Sequence, residues 1–207
     1  MNALPTKKQH WEKVFATKAE NEVSWFQQYP ATSIAFLELF NLPFNANIID
    51  IGGGDSHLVD VLIEKGYRNI YVLDISENAL NRARQRLGGK ANMVHWIVSD
   101  VIDFKPTVQF DFWHDRAAFH FLTTPAAIKK YVASAEKNIR QNGYLVLGTF
   151  SEDGPEKCSG LEIKQYSEAS MSNQFERNFH RIKCILEDHQ TPFNTIQHFL
   201  FCSFLKK

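Results

Sequence analysis

What most constrains this chain is the regular alternation of short apolar runs with helix-period stripes through its middle. Residues 47–51, 69–75, 94–98, 110–113 and 144–150 are rich in Ile, Val and aromatics and read as buried strands. Between them, Leu58, Val59, Leu62 and Ile63 form a helical stripe ended by Gly66. Ser76 opens a second, with Leu80, Ala83 and Leu87 facing inward before Gly88-Gly89. Thr124-Pro125 opens a third, in which Ile128, Tyr131, Val132, Ala135 and Ile139 keep the helical period until Gly143. Such alternation predicts a parallel sheet with right-handed crossovers and helices on both faces. The end of the chain departs from it: 179–187 and 197–205 are strand-like and flank Gln190-Thr191-Pro192-Phe193-Asn194, with no room for a helix. An antiparallel hairpin must therefore close the sheet. Residues 5–18 and 32–41 look helical. The predicted architecture is α/β: a doubly wound, mostly parallel seven-stranded sheet ending in an antiparallel hairpin, with helices on both faces and an N-terminal helical cap. One domain spans 1–207, with the cap over 1–45 and the sheet core over 46–207.

Composition narrows the partners. With 207 residues, 44% of them hydrophobic, the chain can bury a full core. Its 23 Lys and Arg balance 23 Asp and Glu. That leaves no basic field for nucleic acid or anionic membranes, so neither is an expected partner. Cys158, Cys184 and Cys202 cannot all pair within one chain, and none has zinc-knuckle or Cys-x-x-Cys spacing. They read as reduced thiols in a cytoplasmic protein, and no metal is expected. The N-terminus lacks an apolar leader, and no apolar stretch is long enough to span a membrane.

In an open α/β sheet, ligands bind outside the carboxyl ends of the strands where strand order reverses. The first strand exits as Asp50-Ile51-Gly52-Gly53-Gly54-Asp55-Ser56-His57, and its glycines allow a sharp turn and close backbone approach to a ligand. A dinucleotide fingerprint would need a glycine where His57 stands. The phosphate loop Gly-x-x-x-x-Gly-Lys fails because Arg84 occupies the first glycine position ahead of Gly89-Lys90. A serine-hydrolase reading of Gly54-Asp55-Ser56 gives the acid ahead of the glycines no task.

An acid inside the strand followed by Gly-x-Gly resembles motif I of class I, Rossmann-like S-adenosylmethionine-dependent methyltransferases, [Asp/Glu]-x-Gly-x-Gly-x-Gly, with Ser56 replacing the last glycine. Asp74 and Ile75 end the second strand where that family holds the ribose, and Ser99-Asp100-Val101 leaves the third as its adenine-binding segment does. The resemblance covers nearly the whole chain. It implies S-adenosyl-L-methionine as cofactor, held by Asp50, Gly52, Gly53, Gly54, Asp74, Ile75, Asp100, Val101 and His114. The segment Phe112-Trp113-His114-Asp115-Arg116 falls at motif IV, facing the methionine moiety and the methyl acceptor, while His120 reads as a packing residue.

More closely, Trp11-Glu12-Lys13-Val14-Phe15, Val23-Ser24-Trp25-Phe26 and Gly154-Pro155-Glu156-Lys157-Cys158-Ser159-Gly160-Leu161 resemble small bacterial-type methyltransferases described only by their domain. Some protein-lysine methyltransferases have a similar aromatic N-terminal segment. The expected reaction is in-line methyl transfer to a small molecule, with alignment and exclusion of water as the protein's main tasks. An acceptor that arrives protonated needs a base, and Asp115 and His114 are the candidates. Trp25, Phe26, Arg116 and Tyr166 are expected at the acceptor or lid, formed by the N-terminal segment and 152–166. The aromatics serve equally well as plain packing, and transfer needs no thiol from Cys158. A protein lysine as acceptor, a cofactor-holding module without turnover and an atypical dinucleotide protein stay open.

Overall fold

The computed structural model describes residues 6–207. Pro5, at the start of the expected first helix, lies outside them. In chain order the elements are α1 (Lys7–Thr17), α2 (Ala31–Leu39), β1 (Asn47–Ile51), α3 (Leu58–Glu64), β2 (Asn69–Asp74), α4 (Glu77–Leu87), β3 (Val94–Val98), β4 (Phe110–Arg116), α5 (Pro125–Asn138), β5 (Ile139–Phe150), β6 (Lys157–Cys158), β7 (Leu161–Glu162), α6 (Glu168–Phe175), β8 (Phe179–Gln190) and β9 (Ile196–Lys206). The main sheet has seven strands in the order β3-β2-β1-β4-β5-β9-β8. β1 to β5 are parallel; β9 runs antiparallel to both β5 and β8. Strand order reverses between β1 and β4, which puts the crevice of such a sheet at their carboxyl ends.

Local sequence sets the helix ends. Ser76 and Thr124 accept from the N–H groups of Ala79 and Ala127 as side-chain caps of α4 and α5. Thr6 and Gln9 form a reciprocal capping box for α1. The sheet buries both faces. Ile48, Val72, Phe112, Val146 and Phe201 pack on the α2–α3 side; Ile49, Leu73, Trp113, Leu145 and Leu147 pack on the α5–α6 side.

Three expectations need correction. β4 continues to Arg116 instead of stopping at Trp113. The stripe of α5 ends at Asn138, and Ile139 already belongs to β5. The cysteines are not all reduced: Cys184 and Cys202 are directly opposite in the β8–β9 register and form a disulfide, leaving Cys158 free and buried. The two that pair are 18 apart in sequence, so only the hairpin register brings them together. Among the described residues, no helix is long and apolar enough to cross a membrane, and no cluster of His, Cys, Asp or Glu is arranged to hold a metal ion.

Candidate active site

At the exit of β1 the backbone turns through two left-handed glycines, Gly52 at φ 64° and Gly54 at φ 47°. A Cβ on Gly52 would stand 2.6 Å from Cβ of Ala118, so the loop after β4 closes directly on this turn. Two adjoining cavities open here, sharing Phe15, Trp25, Gly52 and Arg116. The first is lined by Ile51, Asp74, Ile75, Asp100, Val101 and Leu122, among others. The second runs over Gly53 and Gly54 to Asp50, His57, His114 and Ser33.

Asp74 ends β2 and is almost fully enclosed. Its Oδ1 accepts from the Ser76 N–H at 2.8 Å, while Oδ2 receives nothing from the protein among the described residues. Burial pushes its pKa up to about 7 against the opposing Ser76 N–H, and the like charges of Asp55, Asp50 and Glu12 add to the rise. Asp100 accepts from the Ile102 N–H at 3.1 Å and stands on the cavity wall beside buried Val101. Both carboxylates can accept from hydroxyl or amino groups of a ligand lying on this apolar floor.

Asp50 does not reach the first cavity. Its Oδ1 lies 2.7 Å from His114 Nδ1, and His114 Nε2 lies 2.8 Å from the hydroxyl of Ser33 on α2, all three buried. With Asp50 ionised, Nδ1 carries the proton and Nε2 accepts from Ser33. The chain joins the cap to β1 and β4 and borders the second cavity.

Asp115 departs from its expected position. Strand side chains alternate, so His114 and Arg116 share the face of Phe112 while Asp115 follows Trp113 to the opposite one. There it is fully buried, accepting from the N–H groups of Ala118 and Phe119 and, at 2.7 Å, from Tyr131 Oη. Burial raises its pKa to about 6. It borders neither cavity and fixes the loop that meets Gly52. Tyr166 is likewise outside both: fully buried, it stacks on Phe119 with a ring separation of 5.3 Å.

The cap supplies the roof. Trp11 and Phe15 on α1 meet Trp25 edge-on at 5.6 and 6.3 Å, and Phe26 lies against His57 at 5.8 Å. His10 Nε2 lies 3.2 Å from the Ser159 hydroxyl, joining α1 to the β6–β7 hairpin. Glu12 accepts from Ser76 Oγ and from the N–H groups of Glu77 and Asn78 at the start of α4. Cys158 borders the first cavity, and burial pushes its thiol up to about 12. His120 is enclosed between Phe121 and Phe150; burial lowers it to about 3, so it stays neutral. Sequence reasoning missed Ser33 and Glu12, whose partners are distant in the chain. The aromatic spacing of Trp11 and Phe15, one helical turn apart, was a usable signal for the roof.

A family model described as a methyltransferase domain matches residues 49–145, from β1 to the middle of β5. No curated protein matches the chain. Among solved structures, a protein studied in the conversion of a disulfide bond into a thioacetal group during echinomycin biosynthesis is 15% identical, with a TM-score of 0.76, covering 95% of this chain and 91% of that one. The N-methyltransferase NodS from Bradyrhizobium japonicum WM9, solved with S-adenosyl-L-homocysteine, is 17% identical, with a TM-score of 0.73 and coverage of 96% and 97%. The 1,6-didemethyltoxoflavin-N1-methyltransferase of Burkholderia thailandensis, solved with 1,6-didemethyltoxoflavin and S-adenosylhomocysteine, is 17% identical, with a TM-score of 0.68 and coverage of 100% and 93%. The fold is that of class I S-adenosylmethionine-dependent methyltransferases.

Proposed function

We propose that this protein transfers a methyl group from S-adenosyl-L-methionine to a small-molecule acceptor by in-line displacement. The observation that carries the reading is the convergence of Gly52, Asp74, Ile75, Asp100 and Val101, from the ends of three neighbouring strands, on one cavity at the point where strand order reverses.

The residues present fit that cofactor. Asp74 has an oxygen free for the ribose hydroxyls, Asp100 accepts from the adenine amino group, and Val101 with Leu122 supplies apolar surface for the ring. A Cβ at Gly54 would stand 3.2 Å from Asp74 Oδ2 and 3.4 Å from Phe15, filling the space beside the ribose carboxylate. When bound, the cofactor supplies a methyl group on a sulfonium, already activated for displacement. The rest falls to this chain. Trp11, Phe15, Trp25 and Phe121 exclude water above the site, and the glycine turn holds the methionine end. His114 Nε2, oriented through Asp50, takes the proton of an acceptor that arrives protonated by way of the Ser33 hydroxyl, which passes its own proton to Nε2 and receives the acceptor's. Asp115 and Tyr166, enclosed on the far side of β4, take no part in binding.

A small acceptor is favoured over a protein lysine because the cavities lie beneath α1, the 24–27 segment and the β6–β7 hairpin. Two of the similar structures are of N-methyltransferases, one of them holding a small heterocycle. Calorimetric titration with S-adenosylmethionine, S-adenosylhomocysteine and NADH tests the reading. Binding of the first two without NADH is expected; tight NADH binding with no sulfonium binding would overturn it.

A further inference from the structure

The methyl transfer proposed above makes no use of Arg116, although this residue borders both cavities at their junction. Its Nη1 donates to the Trp25 carbonyl at 2.9 Å, and its guanidinium carbon lies 4.8 Å from the centre of the Phe199 ring. Nε and Nη2 are shut off from water and donate to nothing among the described residues. These two nitrogens share one edge of the guanidinium, the edge whose parallel N–H groups match the two oxygens of a carboxylate. The stacked ring and the bond to Trp25 fix the plane, so the free edge is held in one direction.

A guanidinium edge shut off from water without an ion partner is unfavourable unless something else supplies the opposite charge. Glu187 on β8 acts on Arg116 only through space, and its own Oε2 is also unpartnered. Burial lowers the guanidinium to about 10, which leaves it charged at neutral pH. The segment that Arg116 grips is the roof: Ser24 is further held by His189 Nε2 to its carbonyl at 2.8 Å and by Gln197 Nε2 to its hydroxyl at 3.2 Å.

We propose that the free edge of Arg116 receives a carboxylate carried by the methyl acceptor, which enters as the 24–27 segment lifts. The proposal rests on the methyltransferase reading and narrows its acceptor to small acidic molecules. Arg116 thereby acts as a specificity residue, selecting and orienting the acceptor without touching the transferred methyl.

The test uses the full-length protein saturated with S-adenosylhomocysteine and ligand-observed NMR with matched pairs: benzoate and benzamide, phenylacetate and phenylacetamide. The acids should bind about 10-fold or more tightly than the amides, a preference that Arg116→Gln abolishes. Arg116→Lys, which keeps the charge but loses the fork, should reduce the preference several-fold, and it decides the matter should the Gln variant not fold. No acid preference in the native protein, or an unchanged one in the variants, overturns the assignment. Calorimetry with S-adenosylhomocysteine and methylthioadenosine separates the other source of a carboxylate. If Arg116→Gln weakens only the former, the fork serves the cofactor's own carboxylate and the acceptor assignment is wrong. Failure of the native protein to bind S-adenosylhomocysteine at all would instead remove the methyltransferase reading.

Discussion

On the proposed reading, Asp74 makes cofactor binding a titration. Its carboxyl titrates near 7 in the free protein because it is enclosed and surrounded by Asp55, Asp50 and Glu12. Ribose hydroxyls donating to Oδ2 stabilise the ionised form, so the bound complex holds Asp74 deprotonated and binding below pH 7 must expel a proton. Affinity should therefore rise with pH and level off above 7. With a bound-state pKa well below 6, binding at pH 6 is about 10-fold weaker than at pH 8, or about 1.4 kcal/mol. Methylthioadenosine is the right ligand, because it carries neither the amine nor the carboxylate of the full cofactor. Calorimetry at pH 6, 7 and 8, in two buffers of different ionisation enthalpy, should show release of about half a proton per site at pH 7. Asp74→Asn should flatten the profile and weaken binding at pH 8 by about 1–3 kcal/mol. A flat profile in the native protein, or the same slope in the variant, would mean that Asp74 is not the group whose proton is coupled to binding.

Further outcomes follow from the packing around the site. Gly52→Ala places a Cβ against Ala118 at a left-handed backbone position, and denaturant unfolding should show a loss of about 2–4 kcal/mol. Tyr131→Phe strips Asp115 Oδ2 and Trp113 Nε1 of their shared partner, for an expected loss of about 2–3 kcal/mol in the same assay. Cys158, its thiol pushed up to about 12 by burial, should resist iodoacetamide at pH 8 in the folded protein and react once guanidinium unfolds it; rapid native labelling would contradict its burial.

The sheet was legible because its strands are continuous apolar runs and its helices carry period-3.6 stripes, signals that survive without tertiary context. Asp74 and Asp100 were legible for the same reason, each standing at a strand end. The sequence pattern ends β4 at Trp113 and so leaves Asp115 free to face the pocket, whereas the strand runs to Arg116. A strand continuing to Arg116 sends 114 and 115 to opposite faces, and side-chain parity alone then excludes one of them from the pocket. Ser33 and the Cys184–Cys202 pair were illegible on different grounds. Ser33 reaches His114 across 81 residues of chain, and the cysteines meet only in one register of the terminal hairpin. No local pattern encodes either.

Glu12 ties the roof to the floor. By taking three donors at the start of α4, it serves as an anionic cap for a helix that begins three residues after Asp74. The two elements are thus one mechanical part, and α1 cannot swing outward without baring the positive end of α4 beside Asp74. A chain clipped ahead of β1 should therefore lose the cap of α4 and the aromatic cover of the first cavity together, while keeping Asp74 and Asp100.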